Sequence, residues 1–211
     1  MPVRLRQAPE VVIRRLPAYL RVLEALDPVE TPIISSQELG SRTGISSGQV
    51  RKDLTTFGVF GKQGVGYRTG ALRSELRTIL HLDQPVPVGL VGAGHLGLAV
   101  ARYDLERERR NPGGTQLTAI FDKDPRKIGQ AVGTRVIRDV AELEDAIRAA
   151  GIRIILLAVP AIEAQSILDR AVNAGVRAFL NFAPTSLTVP EGVQLHTVDV
   201  GLELEALAYY A

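Results

Sequence analysis

Pro87-Val88-Gly89-Leu90-Val91-Gly92-Ala93-Gly94-His95-Leu96-Gly97 is an apolar run that turns on glycines and enters an amphipathic segment reaching about Tyr103 to Arg109. It reads as a buried strand, a phosphate-binding turn and a helix start. Each glycine has its own physical task. Gly92 permits the tight turn, Gly94 removes the Cβ that would block a pyrophosphate, and Gly97 lets the helix pack on the strand. The unpaired amides of the helix N-terminus then face the phosphate charge. Ala93, His95 and Leu96 complete the turn and belong to the same expected dinucleotide site.

A second strand, 117–121, ends on Asp122, which lies 25 residues after Gly97. A carboxylate there can accept both ribose hydroxyls and repels a 2′-phosphate, which favours NAD(H) over NADP(H). Lys123 follows it and works against that preference; the bland reading of Asp122 is a turn cap after a strand. Beyond it come a short strand at 134–137, a helix at 141–149, a buried strand at 152–159 closed by Pro160, a helix at 162–174 and strands at 178–182 and 193–198. This alternation predicts an α/β fold, a Rossmann doubly wound parallel sheet. Such sheets take ligands outside the carboxyl ends of their strands, so Val159, Pro160, Asn181 and Phe182 are expected beside the glycine turn.

Upstream the pattern changes. Apolar positions from Val12 to Leu26 follow helical spacing and predict one first helix from Pro9 to about Asp27-Pro28. Two capping boxes follow, Ser35 to Glu38 and Ser46 to Gln49, each opening a short helix, with Gly44 between them. Two short capped helices on a longer one make a helix-turn-helix. The third helix offers Ser46, Ser47, Gln49, Arg51 and Lys52 on its polar face, where early residues of such a helix reach base edges and phosphates. The stretch 58–67 reads as a glycine-cornered hairpin with Lys62, Gln63 and Gly64 near its tip, shaped as a wing for a phosphate backbone. The bland alternative is a dimerisation or docking module with a solvated basic face. Residues 71–82 read as a linking helix, and Pro85 and Pro87 separate the two folds.

The expected organisation is therefore a winged helix-turn-helix domain over 1–82, a dinucleotide-binding domain over 83–198 and a terminal helix over 199–211. That tail places Leu202, Leu204, Leu207, Tyr209 and Tyr210 on a helix that needs a cover, and a partner subunit is the favoured one.

Composition agrees with this division. The 211 residues carry a net charge of +2, yet residues 1–82 hold twelve Lys and Arg against seven Asp and Glu, whereas 83–211 hold thirteen against sixteen. The basic half points to a polyanion, duplex DNA first among them. With 45% hydrophobic and 23% charged residues the chain reads as globular, with no membrane span, and its start, Met1 to Arg6, lacks a signal-peptide core, so a cytoplasmic place is expected. The absence of cysteine excludes disulfides and thiolate chemistry, and no metal-ligand cluster stands out. His81, His95 and His196 lie in the linker, the turn and the last strand, and no acid–base pair for hydride transfer is recognisable. No catalytic residue is assigned. The competing readings are an NAD-dependent oxidoreductase with a small N-terminal dimerisation module, and a CoA- or nucleotide-binding accessory domain.

The run Arg51 to Tyr67, RKDLTTFGVFGKQGVGY, closely resembles the recognition-helix-and-wing signature of Rex, the bacterial redox-sensing repressors. The likeness continues through Arg15-Leu16-Pro17, Gly92 to Gly97 with Tyr103, Asn181 to Pro184 and Val198-Asp199, in the same order over nearly the whole chain. The resemblance implies a homodimer that binds inverted-repeat operators of respiratory and fermentative genes and leaves DNA when NADH replaces NAD⁺. It implies that the coenzyme is sensed and not turned over, that the C-terminal helix is exchanged between subunits, and that Arg15, Tyr103 and Asp199 form the ionic part of the switch. His95 stands where Asn is frequent in the family, and Gln63 where a basic residue is usual.

Overall fold

The computed structural model describes residues 8–59, 61–62, 64–110 and 113–211, the Arg110 side chain excepted. The chain divides into two units, Met1–Asp83 and Gln84–Ala211.

The first unit runs α1 (Glu10–Ile13), α2 (Leu16–Glu24), β1 (Ile33–Ile34), α3 (Ser36–Thr43), α4 (Ser47–Thr56), β2 (Tyr67–Arg68) and α5 (Thr69–Ile79). The single first helix expected from the apolar spacing is thus two. Pro17 has no N–H to give the carbonyl one turn before it, so it sits in the first turn of α2, where the missing donor costs nothing. Leu16, Tyr19, Leu20 and Leu23 of α2 pack with Ile34, Leu39, Val50, Leu54 and Tyr67 in one core. At roughly 1.5–3 kcal/mol for each fully buried large apolar side chain, this cluster outweighs the surface ion pairs around it. The expected linking helix also belongs here. Leu72 and Leu76 of α5 are buried in the same core, and Arg77 donates to Glu24 of α2 at 2.9 Å. β1 and β2 pair antiparallel, Ile33 with Arg68 and Ile34 with Tyr67, and Lys62 pairs with Gly66 beside the turn of the hairpin. Gln63 lies outside the described residues.

The second unit runs β3 (Val86–Val91), α6 (His95–Arg110), β4 (Thr115–Asp122), β5 (Ala131–Val132), β6 (Arg135–Asp139), α7 (Leu143–Ala150), β7 (Ile154–Leu157), α8 (Ala161–Asn173), β8 (Ala178–Asn181), β9 (Gln194–Thr197) and α9 (Val200–Ala208). Its sheet has the order β5-β6-β4-β3-β7-β8-β9, parallel except for the short edge strand β5. From β3 the chain winds outward through β4 to β6, then returns to the other side of β3 and winds outward again. The reversal leaves a switch point between the carboxyl ends of β3 and β7. Both sheet faces are covered, because successive strand residues point to opposite sides. Val88, Leu90, Leu117 and Ile120 pack with Ala101 and Leu105 of α6. Val91, Ala119 and Phe121 pack with Leu143 and Ile147 of α7 and Leu168 of α8.

No residue of α9 is buried; Leu202, Leu204 and Leu207 are each at least 60% exposed. Among the described residues no helix is long and apolar enough to cross a membrane.

Candidate nucleotide cleft and nucleic-acid face

The switch point of the sheet is a cleft of about 690 Å³. Gly92, Gly94, His95, Leu96, Asp122, Lys123, Val159 and Pro160 all line it, and Gly97 does not. Gly92 has φ +103°, and a Cβ there would meet the Ala158 carbonyl oxygen at 2.3 Å. A Cβ on Gly97 would stand 1.9 Å from the Gly92 carbonyl oxygen, so α6 crosses the turn backbone to backbone. Gly94 differs from both: among the described residues nothing beyond its chain neighbours lies within 4 Å of where its Cβ would be. Protein packing therefore does not require glycine at 94, and the open space lies at the start of a helix whose first bond closes from Leu98 N–H to the Gly94 carbonyl. The amides before Leu98 form the open first turn of α6, suited to a phosphate pair.

Asp122 is occupied more fully than expected for a ribose acceptor. Its Oδ2 accepts the Ala93 N–H at 2.8 Å and Lys127 Nζ at 2.9 Å, and its Oδ1 accepts the Asp124 N–H at 2.8 Å. Burial acts to raise its carboxyl, but the Asp124, Lys127 and Ala93 hydrogen bonds outweigh that and hold it below the usual carboxylate range. Lys123 pairs with Glu163 of α8 on the cleft wall. Lys127 and Glu163, both lining residues, were not expected. Lys127 had a readable signal, a cation five residues past the strand-end acid, whereas Glu163 comes from a distant helix.

Ala93 is buried, does not line the cleft, and gives its N–H to Asp122. Asn181 is also buried: its amide donates to the Ala183 carbonyl at 3.0 Å and accepts the Ala183 N–H at 2.9 Å, so it braces the end of β8. Neither Asn181 nor Phe182 lines the cleft.

In the first unit, α3, α4 and the hairpin enclose a groove of about 500 Å³ lined by Ser36, Ser47, Arg51, Lys62 and Gly64, among others. Arg51 donates to Ser36 at 2.9 Å across it. The groove thus joins the early turns of α4 to the hairpin. Ser46 caps α4 by accepting the Gln49 N–H at 3.2 Å. Lys52 is exposed on α4 and does not line the groove.

Behind α4 lies a network absent from the sequence reading. Asp53 is fully buried; its Oδ2 accepts Arg15 Nε at 2.6 Å and the Tyr19 hydroxyl at 2.8 Å, and its Oδ1 accepts a second Arg15 nitrogen at 2.7 Å and Gln49 Nε2 at 2.6 Å. Burial pushes its carboxyl up, and the Arg15, Gln49 and Tyr19 bonds together bring it below its ordinary value. Burial also pushes the Tyr19 phenol up, and its bond to Asp53 adds to that. The available signal was the four-residue spacing of Gln49 and Asp53 on one helix face; the Arg15 and Tyr19 partners lie 38 and 34 residues away.

Of the remaining expected switch residues, Tyr103 is 65% exposed on α6. Asp199 caps α9, its Oδ1 accepting the Gly201 N–H at 2.9 Å and the Leu202 N–H at 3.3 Å.

Residues 7–55 match a family model described as the N-terminus of a putative DNA-binding protein, and residues 83–185 match a CoA binding domain. The redox-sensing transcriptional repressor Rex of Roseiflexus sp. (strain RS-1) is 44% identical over 207 residues, 98% of this chain and 92% of that one. The chain belongs to the Rex family of redox-sensing transcriptional repressors. A second Rex-family repressor, RSP, gives the structural comparison. Its crystal structure in complex with β-NAD⁺ and operator DNA superposes with a TM-score of 0.84 at 39% identity, covering 96% of this chain and 92% of that one. The structure of RSP in complex with β-NADH gives a TM-score of 0.79 at 37% identity, covering 97% and 94%.

Proposed function

We propose that this chain is a homodimeric repressor that holds an inverted-repeat operator through α4 and the hairpin wing, and releases it when NADH replaces NAD⁺ in the cleft of the second unit. The observation that carries the reading is the open space at Gly94 above the free first turn of α6, a cradle that no described residue fills. The RSP structures, one holding NAD⁺ with operator DNA and one holding NADH, support both halves of it. A repressor acts where the chromosome lies, which places the protein in the cytoplasm.

Gly92 to Gly97 hold the pyrophosphate in this reading, with His95 and Leu96 as part of the turn. Asp122 acts on the adenosine side chiefly by fixing that turn, with Lys123, Val159 and Pro160 forming the wall. Asn181 and Phe182 act behind the wall. When bound, the coenzyme supplies a nicotinamide that is cationic when oxidised and neutral when reduced. The glycine turn and Asp122 meet the half common to both forms, so discrimination needs other groups. Arg15, Tyr103 and Asp199 are the proposed elements, with Asp199 as the carboxylate that pairs with the cationic ring. A difference of about 3 kcal/mol between the two dimer states changes operator affinity about a hundredfold.

Ser46, Ser47, Gln49 and Arg51 read or flank bases, and Lys52, Lys62, Gln63 and Gly64 follow the phosphate backbone. The test is a titration of operator-like duplex DNA at two salt concentrations, with each coenzyme form added. Binding that weakens steeply with salt and about a hundredfold with NADH is expected. Equal affinity with NAD⁺, NADH or neither would overturn the reading.

A further inference from the structure

Lys123 and Lys127 line the cleft beside Asp122, the strand-end acid at which a dinucleotide fold meets the adenosine ribose. Each ammonium is held by a carboxylate. Lys127 Nζ lies 2.9 Å from Asp122 Oδ2, and Lys123 Nζ is bonded to Glu163 Oε1. The two pairs differ in reach. Lys127 is five residues from Asp122, whereas Lys123 directly follows β4 and Glu163 is the third residue of α8, which follows β7. In the sheet β4 and β7 lie on opposite sides of β3, so the Lys123–Glu163 pair crosses the switch point. The Glu163 N–H donates to the Pro160 carbonyl at 2.9 Å, and its side chain is 28% exposed against 66% for Lys123. The carboxylate is the anchored partner, and the ammonium is drawn to it.

We propose that Glu163 sets a preference for NAD(H) over NADP(H) by holding Lys123 away from the adenosine ribose. The inference rests on the coenzyme reading above. A cation beside the strand-end acid can take a 2′-phosphate, and Lys123 stands in that place. Such a phosphate carries about two negative charges at neutral pH. With Lys123 kept by Glu163, it meets three carboxylates of the cleft lining, Asp122, Asp124 and Glu163. If it takes Lys123 instead, it leaves Glu163 charged, largely covered and unpaired beside it. Either course weakens binding. A ribose hydroxyl is neutral and needs neither cation, so NAD(H) enters with both pairs intact. Asp122 is already engaged by Ala93, Asp124 and Lys127, so the preference does not fall to it alone. Glu163 is thus a specificity-determining residue that acts through Lys123.

The experiment titrates the full-length protein, without DNA, with NADH and with NADPH and follows nicotinamide fluorescence. The wild type is expected to favour NADH by at least about a hundredfold. Glu163→Gln keeps the shape and removes the charge. It is expected to raise NADPH affinity about tenfold and to leave NADH affinity within about twofold. Adding Lys123→Ala to Glu163→Gln should abolish that gain, because the cation that supplied it is gone. Lys123→Ala alone leaves Glu163 unpaired and should weaken NADPH binding further. The pair is mostly exposed on the Lys123 side, so a thermal melt of Glu163→Gln is expected to stay close to the wild type.

An NADPH affinity unchanged in Glu163→Gln, a gain that survives Lys123→Ala, or an equal gain for NADH overturns the proposal. So does a Lys123→Ala variant that binds NADPH more tightly, or a wild type that binds both coenzymes alike. A wild type that binds neither overturns the coenzyme reading itself.

Discussion

The Ala93 N–H donates to the Asp122 carboxylate across 2.8 Å, so the acid at the end of β4 holds the glycine turn at the end of β3 in place. Removing it leaves the Ala93 and Asp124 amides and Lys127 without their partner. Asp122→Ala is expected to lower the stability of the second unit by about 2 kcal/mol and coenzyme affinity about tenfold together. Denaturant unfolding beside fluorescence titration with NADH checks this. A loss of affinity at unchanged stability would mean that Asp122 acts on the ribose alone.

Two glycines of one turn are expected to respond in opposite ways. Gly94→Ala adds a methyl into open space, so the fold is kept while NAD(H) affinity falls by more than about tenfold, because the methyl takes the position of a phosphate. Gly97→Ala drives a methyl into the Gly92 carbonyl and is expected to lower the melting temperature by several degrees before any ligand is added. Calorimetric titration and thermal melts separate the two.

These positions were legible because a glycine turn is a local device: strand, bend and helix start follow one another within eleven residues. The caps at Ser35 and Ser46 were legible for the same reason, each bonding an amide three residues on. The break between α1 and α2 was not, since apolar spacing runs on across Pro17 and a helix-starting proline looks like an interior one. α5 was read as a linker because its apolar stripe gives no hint of which core it joins. Asp53 lay furthest from sequence reasoning. Its charge argued for the surface, and the partners that allow its burial are remote along the chain.

That burial has a pH signature. The Asp53 carboxyl is held below its unfolded value of about 3.9, so its contribution to stability is complete above that value and is lost as pH falls through the folded one. Arg15→Leu removes the charge and leaves burial in control, which reverses the sign: the folded carboxyl then titrates above the unfolded one, and stability is lost as pH rises. The gap between wild type and Arg15→Leu is expected to widen to about 3 kcal/mol between roughly pH 4 and pH 6. Urea unfolding across that range measures it, and a constant gap would show that Asp53 does not depend on Arg15 for its charge.

The exposed apolar face of α9 is expected to be the dimer contact. Leu204→Glu with Leu207→Glu places two charges where apolar side chains would be buried, and should weaken self-association by at least about a hundredfold. Sedimentation equilibrium reads the result directly. A dimer of wild-type affinity in the double variant would assign the contact to another surface.

Arg51 and Lys62 line one groove yet are expected to fail differently on DNA. A guanidinium early on α4 suits a base edge, so Arg51→Ala should cost about 1–3 kcal/mol on the preferred duplex, relax specificity at one position and change scrambled DNA little. Lys62 stands beside the turn of the wing, where a flexible ammonium meets phosphate, so Lys62→Ala should weaken every duplex alike and lower the slope of log K against log salt by about one. Titrations of preferred and scrambled duplexes across a salt series distinguish the two. If Arg51→Ala instead weakens both duplexes equally, Arg51 is a phosphate contact and base reading falls to Gln49 and its neighbours.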